Sequence, residues 1–143
     1  MPYVKIWIHL VFGTKNRSPF LTEQVKPKVI HHIYENARQK EIFIDIADGS
    51  HDHLHCLLSL SVSMSVAKTV NLIKGESSYW INQNKITSDK FEWADEYYAV
   101  SVSESQIEAV RNYIRNQEKH HKRKSFEEEC DEFMKKYGWK YLG

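Results

Sequence analysis

His53-Leu54-His55-Cys56-Leu57-Leu58-Ser59-Leu60 alternates in a way that only a strand explains. Successive side chains of a strand point to opposite faces of a sheet. Leu54, Cys56, Leu58 and Leu60 then make one face uniformly apolar, while His53, His55 and Leu57 share the other. A strand with one face suited only to a core belongs in a sheet covered on that side. His51 is expected one step further out on the histidine face.

Strand signals surround this segment. Ile42, Ile44 and Ile46 alternate as a preceding strand, and Asp48-Gly49-Ser50 is a turn, so the two strands are expected to form a hairpin. Val4, Ile6, Ile8 and Leu10 alternate with Lys5, Trp7 and His9 as the first strand. Residues 13–19, Gly-Thr-Lys-Asn-Arg-Ser-Pro, break it as a loop. A helix follows from about Thr22 to Gln39, with Val29, Ile30, Ile33, Tyr34 and Ala37 on one side; Pro27 implies a late start or a bend.

Downstream, Ser63 or Ser65 is positioned to cap a helix carrying Val66, Val70, Ile73 and Trp80 at helical spacing. Gly75 inside it costs roughly 1 kcal/mol against Ala, which implies a close backbone approach or a plain packing reason. Phe91 to Val102 is aromatic and β-branched, a fourth strand. Ser105-Gln106-Ile107-Glu108 matches a capping box ahead of a helix with Ile107, Val110 and Ile114 as its apolar stripe. A last helix is expected from Ser125, with Phe126, Cys130, Phe133 and Tyr137 facing the core.

The first six elements run βαββαβ. The fold class is therefore α+β, a ferredoxin-like sandwich in which helices cover one face of an antiparallel sheet. One domain is expected over residues 1–143: a core over 1–102, then C-terminal helices over 103–143. Its 143 residues, 41% hydrophobic and 27% charged, suit one globular unit with a moderate core. The apolar stretches are too short to span a bilayer, and the first residues lack a signal-peptide pattern, so no membrane association and a cytoplasmic location are expected. Cys56 and Cys130 form no CxxC and read as reduced core residues, which disfavours a structural zinc.

The net charge of +1 hides an uneven distribution. Arg111, Arg115, Lys119, Lys122, Arg123 and Lys124 crowd one stretch, and the acidic run Glu127-Glu128-Glu129 with Asp131 and Glu132 follows. Such runs are commonly solvated helix faces, and a basic one can also attract a phosphate backbone. Aromatic residues at 13% supply core and can also stack bases.

Two local signals carry chemistry. His53 and His55 share a strand face, so their imidazoles can converge on one divalent cation; histidines on a half-buried polar face also need no function. Tyr113 and Gln117 are spaced i, i+4 and share one helix face, with Ile114 in the neighbouring buried stripe. A phenol there can be a boundary residue or a nucleophile that attacks a phosphodiester. Its ordinary pKa of about 10 makes it weak at neutral pH unless a cation offsets the charge on the scissile phosphate. His53, His55 and Gln117 can supply three ligands to such a cation.

At these residues the sequence resembles the single-tyrosine HUH transposases of TnpA type, from the insertion-sequence 200/605 group and its repeat-associated relatives. The His-hydrophobic-His motif is His53-Leu54-His55, preceded by Asp52. The likeness continues through Thr14-Lys15-Asn16-Arg17, Lys74-Gly75, Ser77-Ser78, Trp93 and Ala99-Val100-Ser101-Val102-Ser103. It ends with Tyr113-Ile114-Arg115-Asn116-Gln117 and His120-His121. The resemblance implies a ferredoxin-like homodimer that cleaves and rejoins single-stranded DNA, with hairpin ends, using Mg²⁺ or Mn²⁺ and no small-molecule cofactor. The products implied are a 5′-phosphotyrosine and a free 3′-OH. Carried over residue by residue, Tyr113 is the nucleophile, and His53, His55 and Gln117 hold the metal. Lys15, Arg17, Lys74, Arg111 and Arg115 are candidate DNA contacts. His51 stands where the family pattern leads one to expect a small or apolar residue, which leaves open a fourth ligand or no role. The alternatives are another HUH enzyme, such as a host-adopted repeat processor, or a catalytically silent nucleic-acid-binding module.

Overall fold

The computed structural model describes residues 3–117, 128, 129, 131 and 132. Strands β1 (Trp7–Thr14), β2 (Phe43–Gly49), β3 (His53–Ser59) and β4 (Trp93–Val102) form one antiparallel sheet in the order β2-β3-β1-β4. Helix α1 (Val25–Gln39) follows β1, α2 (Val66–Gln83) follows β3 and α3 (Ile107–Arg115) follows β4. The βαββαβ order and the α+β sandwich are as the sequence implies. The helix expected from Ser125, with Phe126, Cys130, Phe133 and Tyr137, lies largely outside the described residues, as do Lys119 to Lys124.

The apolar alternation builds one face. Ile8, Leu10 and Phe12 from β1, Ile44 and Ala47 from β2, and Leu54, Cys56 and Leu58 from β3 are buried together beneath Val29, Ile33 and Ala37 of α1 and Val70, Ile73 and Ile81 of α2. Full burial of the Val, Leu, Ile and Phe side chains among them contributes roughly 1.5–3 kcal/mol each. The opposite face does not stay bare, as the one-sided expectation had it. Helix α3 crosses it, packing Ile107 and Ile114 on Trp7 and Leu57. Its apolar stripe has to be buried somewhere, and the first face is already occupied by α1 and α2.

Several local expectations shift. β1 lies further along than its alternation suggests: Val4 and Ile6 stay exposed and Phe12 joins the core. Trp7 pairs with Ser59 and with Val102, the last residues of β3 and β4, so the neighbouring strands run out there. In β2 the register shifts between Ile44 and Ile46, so Ile44 and Ala47 face α1 and α2 while Ile46 packs with the α3 cluster. The extra residue at Asp45 reverses the alternation, the usual effect of a bulge.

The turn after β2 requires glycine, since a Cβ on Gly49 would sit 2.1 Å from the His53 carbonyl oxygen. Gly75 answers neither expectation: nothing lies within 4 Å of where its Cβ would be. α1 does begin late, at Val25, whose N–H donates to Thr22 Oγ1 at 3.2 Å. Ser65 caps α2 by accepting from the Lys68 N–H at 3.0 Å. The capping box at Ser105 does not form: Glu104–Gln106 is a 3-10 turn, and Ser105 Oγ pairs with Ser103 Oγ at 3.1 Å. Among the described residues no helix is long and apolar enough to cross a membrane.

Candidate metal centre and nucleophile

The strand alternation of β3 turns His53 and His55 toward the face that α3 crosses, and both are fully buried. Their Nε2 atoms converge on one carboxylate. His53 Nε2 lies 3.3 Å from Glu129 Oε2, and His55 Nε2 lies 3.0 Å from Glu129 Oε1. Ligand atoms bound about 2.1 Å from one ion at right angles lie about 3 Å apart, so these separations suit a shared divalent cation. Ligand atoms of His53, His55 and Glu129 all lie within 4.8 Å of one another. Two imidazoles and a carboxylate suit a first-row divalent metal.

Each imidazole is held from behind. His53 Nδ1 donates to Asp52 Oδ1 at 2.8 Å. His55 Nδ1 and His9 Nε2 share a hydrogen bond of 2.9 Å. Burial opposes protonation of His53 and is the largest single influence on it. The hydrogen bonds and charges of Asp52 and Glu129 outweigh it, so the His53 pKa stands above the ordinary histidine value. On the other face of the same strand, burial pushes the Cys56 thiol up to about 12, which suits an inert core residue.

Tyr113, on α3, reaches the same group. Its hydroxyl donates to Glu129 Oε1, and its ring meets His55 edge-on at a centroid distance of 5.6 Å. Burial, then the hydrogen bond and charge of Glu129, push the phenol pKa above its ordinary value. The phenol is therefore held protonated against an anion. Gln117 is fully buried beside it, its amide nitrogen 3.5 Å from Glu129 Oε1. Rotation of that amide by half a turn presents its oxygen instead. The four residues singled out for chemistry in the sequence thus come together within one chain.

His51 does not join them. It precedes β3 in the hairpin bend, points to solvent and pairs its Nδ1 with Ser50 Oγ at 3.0 Å. The basic residues divide. Arg111 is committed to a forked pair with Asp45, 2.7 Å from Nε and 3.2 Å from Nη2, and to Glu108. It clamps α3 to the β2 bulge, so its guanidinium faces protein carboxylates rather than solvent phosphates. Arg115 is exposed, with Nη1 3.4 Å from Asn112 Oδ1.

Lys15, Arg17 and Lys74 line one groove of about 740 Å³ with Gly75, Ser78 and Asn82. Lys15 is paired with Glu92 at 2.8 Å. Lys74 donates to the carbonyls of Ala94 at 2.6 Å and Asp95 at 3.2 Å, and burial lowers its pKa. The groove also contains Glu92, Asp95 and Glu96, so its charge is mixed.

Residues 2–117 match the sequence family described as IS200-like transposases. The chain belongs to that family. Two solved structures share its fold. One is a Deinococcus radiodurans R1 protein proposed to be a transposase, 24% identical, covering 82% of this chain and 95% of its own, with a TM-score of 0.66. The other is a repeat-associated (REP) tyrosine transposase bound to a REP hairpin, 16% identical, covering 82% of this chain and 67% of its own, with a TM-score of 0.57. No curated protein matches significantly. An IS200-like transposase is a DNA-processing enzyme.

Three residues of this cluster carry little signal in the local sequence. Glu129 reads as one member of a solvated acidic run, yet it is buried. Its spacing held a signal: it stands three residues after Phe126 and four before Phe133, inside the expected apolar stripe. His9 reads as a polar partner in the β1 alternation, and Asp52 as a motif neighbour. Nothing local points to the bonds they make.

Proposed function

We propose that this transposase cleaves and rejoins single-stranded DNA by attack of Tyr113 on a phosphodiester, leaving a 5′-phosphotyrosine and a free 3′-OH. The observation that carries this reading is the single carboxylate of Glu129, which spans both histidine Nε2 atoms and accepts the Tyr113 hydroxyl. His53, His55 and Glu129 would hold a divalent cation, Mg²⁺ or Mn²⁺, with Gln117 beside them. When bound, such a cation neutralises phosphate oxygens and orients the phosphate for in-line displacement.

The remaining steps belong to the chain's own groups. Glu129 has an oxygen for each of two tasks: Oε2, toward His53, as ligand atom, and Oε1 as acceptor of the phenolic proton. As the bond from Tyr113 oxygen to phosphorus forms, the bond from phosphorus to the 3′ oxygen breaks, and that oxygen leaves as a hydroxyl after taking up a proton. Rejoining reverses the order, the 3′-OH attacking the phosphotyrosine. The ring edges of His9 and His55 against Tyr113 hold the phenol's approach, with centroid distances of 6.2 and 5.6 Å.

Hairpin-forming single strands are the substrate to try first, since the REP-associated transposase of the same fold was solved with a hairpin. We place Lys15, Arg17, Lys74 and Arg115 among the DNA contacts and read the working form as a homodimer. Arg111 is read instead as the clamp of the tyrosine helix. A host-adopted repeat processor would use the same chemistry.

The test is denaturing electrophoresis of the protein with labelled single-stranded oligonucleotides from its genomic flanks, with Mn²⁺ or Mg²⁺. The expected result is a covalent adduct with the wild type and none with Tyr113→Phe, which still binds DNA. An adduct that persists in Tyr113→Phe overturns the nucleophile. Binding without any adduct in the wild type favours a silent binding module.

A further inference from the structure

The two histidines of the centre are supported by different chemistry. His53 leans on a carboxylate, Asp52, whereas His55 leans on a third imidazole, that of His9. His9 comes from the middle of β1, between Leu57 of β3 and Val100 of β4, and is 2% exposed. Its ring lies tilted at 36° to that of His55, with centroids 5.1 Å apart, which directs nitrogen at nitrogen rather than stacking face on face. His9 also borders the cavity of about 650 Å³ that Tyr113 and Glu129 line.

We infer that His9 is a positioning residue: it holds His55 in the tautomer that presents a lone pair at Nε2, and so sets the affinity of the centre for its metal. The inference rests on the metal reading above. A ligating nitrogen must carry its lone pair, so the proton of a neutral His55 sits on Nδ1. That N–H donates to His9 Nε2, which accepts only if His9 carries its own proton on Nδ1. With a metal on His55 Nε2, the 2.9 Å bond therefore couples the tautomers of both rings. Partners behind metal-bound histidines usually are carboxylates, carbonyls or water, and losing one typically costs about 10–100-fold in metal affinity.

Two measurements on the full chain test this. The first is Mn²⁺ binding, read by calorimetry and by the paramagnetic resonance of free Mn²⁺. His9→Leu removes the acceptor and is expected to weaken Mn²⁺ about 10–100-fold. His9→Gln retains an acceptor and is expected to recover most of the loss. The second needs no variant: nitrogen NMR of histidines in the wild type loaded with diamagnetic Mg²⁺, which places a cation between His55 Nε2 and Glu129, is expected to find both His9 and His55 protonated at Nδ1. It also covers the case in which His9→Leu does not fold. Unchanged Mn²⁺ affinity in His9→Leu, failure of His9→Gln to recover, or His55 protonated at Nε2 would each overturn the inference alone. A wild type that takes up no Mn²⁺ at all removes the metal reading and this inference with it.

Discussion

The two faces of the sheet are made by the same strands and do opposite things. On one, Leu54, Cys56, Leu58, Leu10 and Phe12 are packed under α1 and α2 in a largely apolar cluster. On the other, His9, His53 and His55 are as deeply buried, yet every one is a titratable ring held by a specific partner. Burial is equal, so burial alone does not separate a core from a site. What separates them is the kind of atom buried and whether its partners are interchangeable. Apolar contacts tolerate repacking, whereas a buried imidazole depends on one acceptor at one distance.

The sharpest way to break this comparison is to damage each face in turn. His53→Ala is expected to abolish metal-dependent cleavage and Mn²⁺ uptake while the metal-free chain still unfolds cooperatively. Phe12→Ala, on the other side of the sheet, should cost roughly 3–5 kcal/mol of stability, read by urea unfolding. Where it remains folded, at low temperature, it should still bind Mn²⁺. If His53→Ala cleaves normally in chelator, or if Phe12→Ala proves harmless to stability, the division between faces is wrong.

A pH series sharpens the same point, with opposite signs for the two states of the site. The His53 pKa is raised in the metal-free fold: burial opposes protonation, but Asp52 and Glu129 prevail. A raised folded value means protonation stabilises the fold. That contribution is complete below the unfolded value of about 6.5 and is lost as pH rises through the folded value. The Tm of the metal-free chain should therefore fall over the interval from about pH 6.5 up to the raised folded value. With Mn²⁺ the proton and the cation compete for His53 Nε2, so the gain in Tm on adding metal should grow over that interval. A metal-dependent gain that shrinks with rising pH would remove His53 from the ligand set.

The smallest expected effect concerns Gly75, where a side chain has open space. Gly75→Ala should stabilise the chain by about 1 kcal/mol, seen as a modest rise in Tm. If DNA binding weakens at the same time, the glycine serves the groove it shares with Lys15, Arg17 and Lys74. If stability falls instead, the open space is not real.

Much of this was legible in the chain. Alternation in residues 53–60 placed the histidines opposite the core, and the i, i+4 spacing brought Gln117, just beyond the end of α3, beside Tyr113. Both readings depend only on the repeat of a strand or a helix, which local sequence carries. Where the chain departs from a regular repeat, the reading slipped. The bulge at Asp45 sends Ile46 to the other face, and Asp45 pairs with Arg111, a contact that no regular alternation records.

The βαββαβ order, the two faces of β3 that carry the histidines, and the helix that carries Tyr113 are written in the local repeat of the chain. Only the tertiary structure decided that α3 crosses the histidine face, that Glu129 joins His53 to Tyr113, and that His9 backs His55. The His9–His55 contact spans 46 positions, the histidine–Glu129 contacts span 74 or more, and even Tyr113 and Glu129 are 16 apart, so no local repeat records them. A hydrogen bond across a sheet is chosen by where whole elements pack, and that choice belongs to the burial of the chain as a whole.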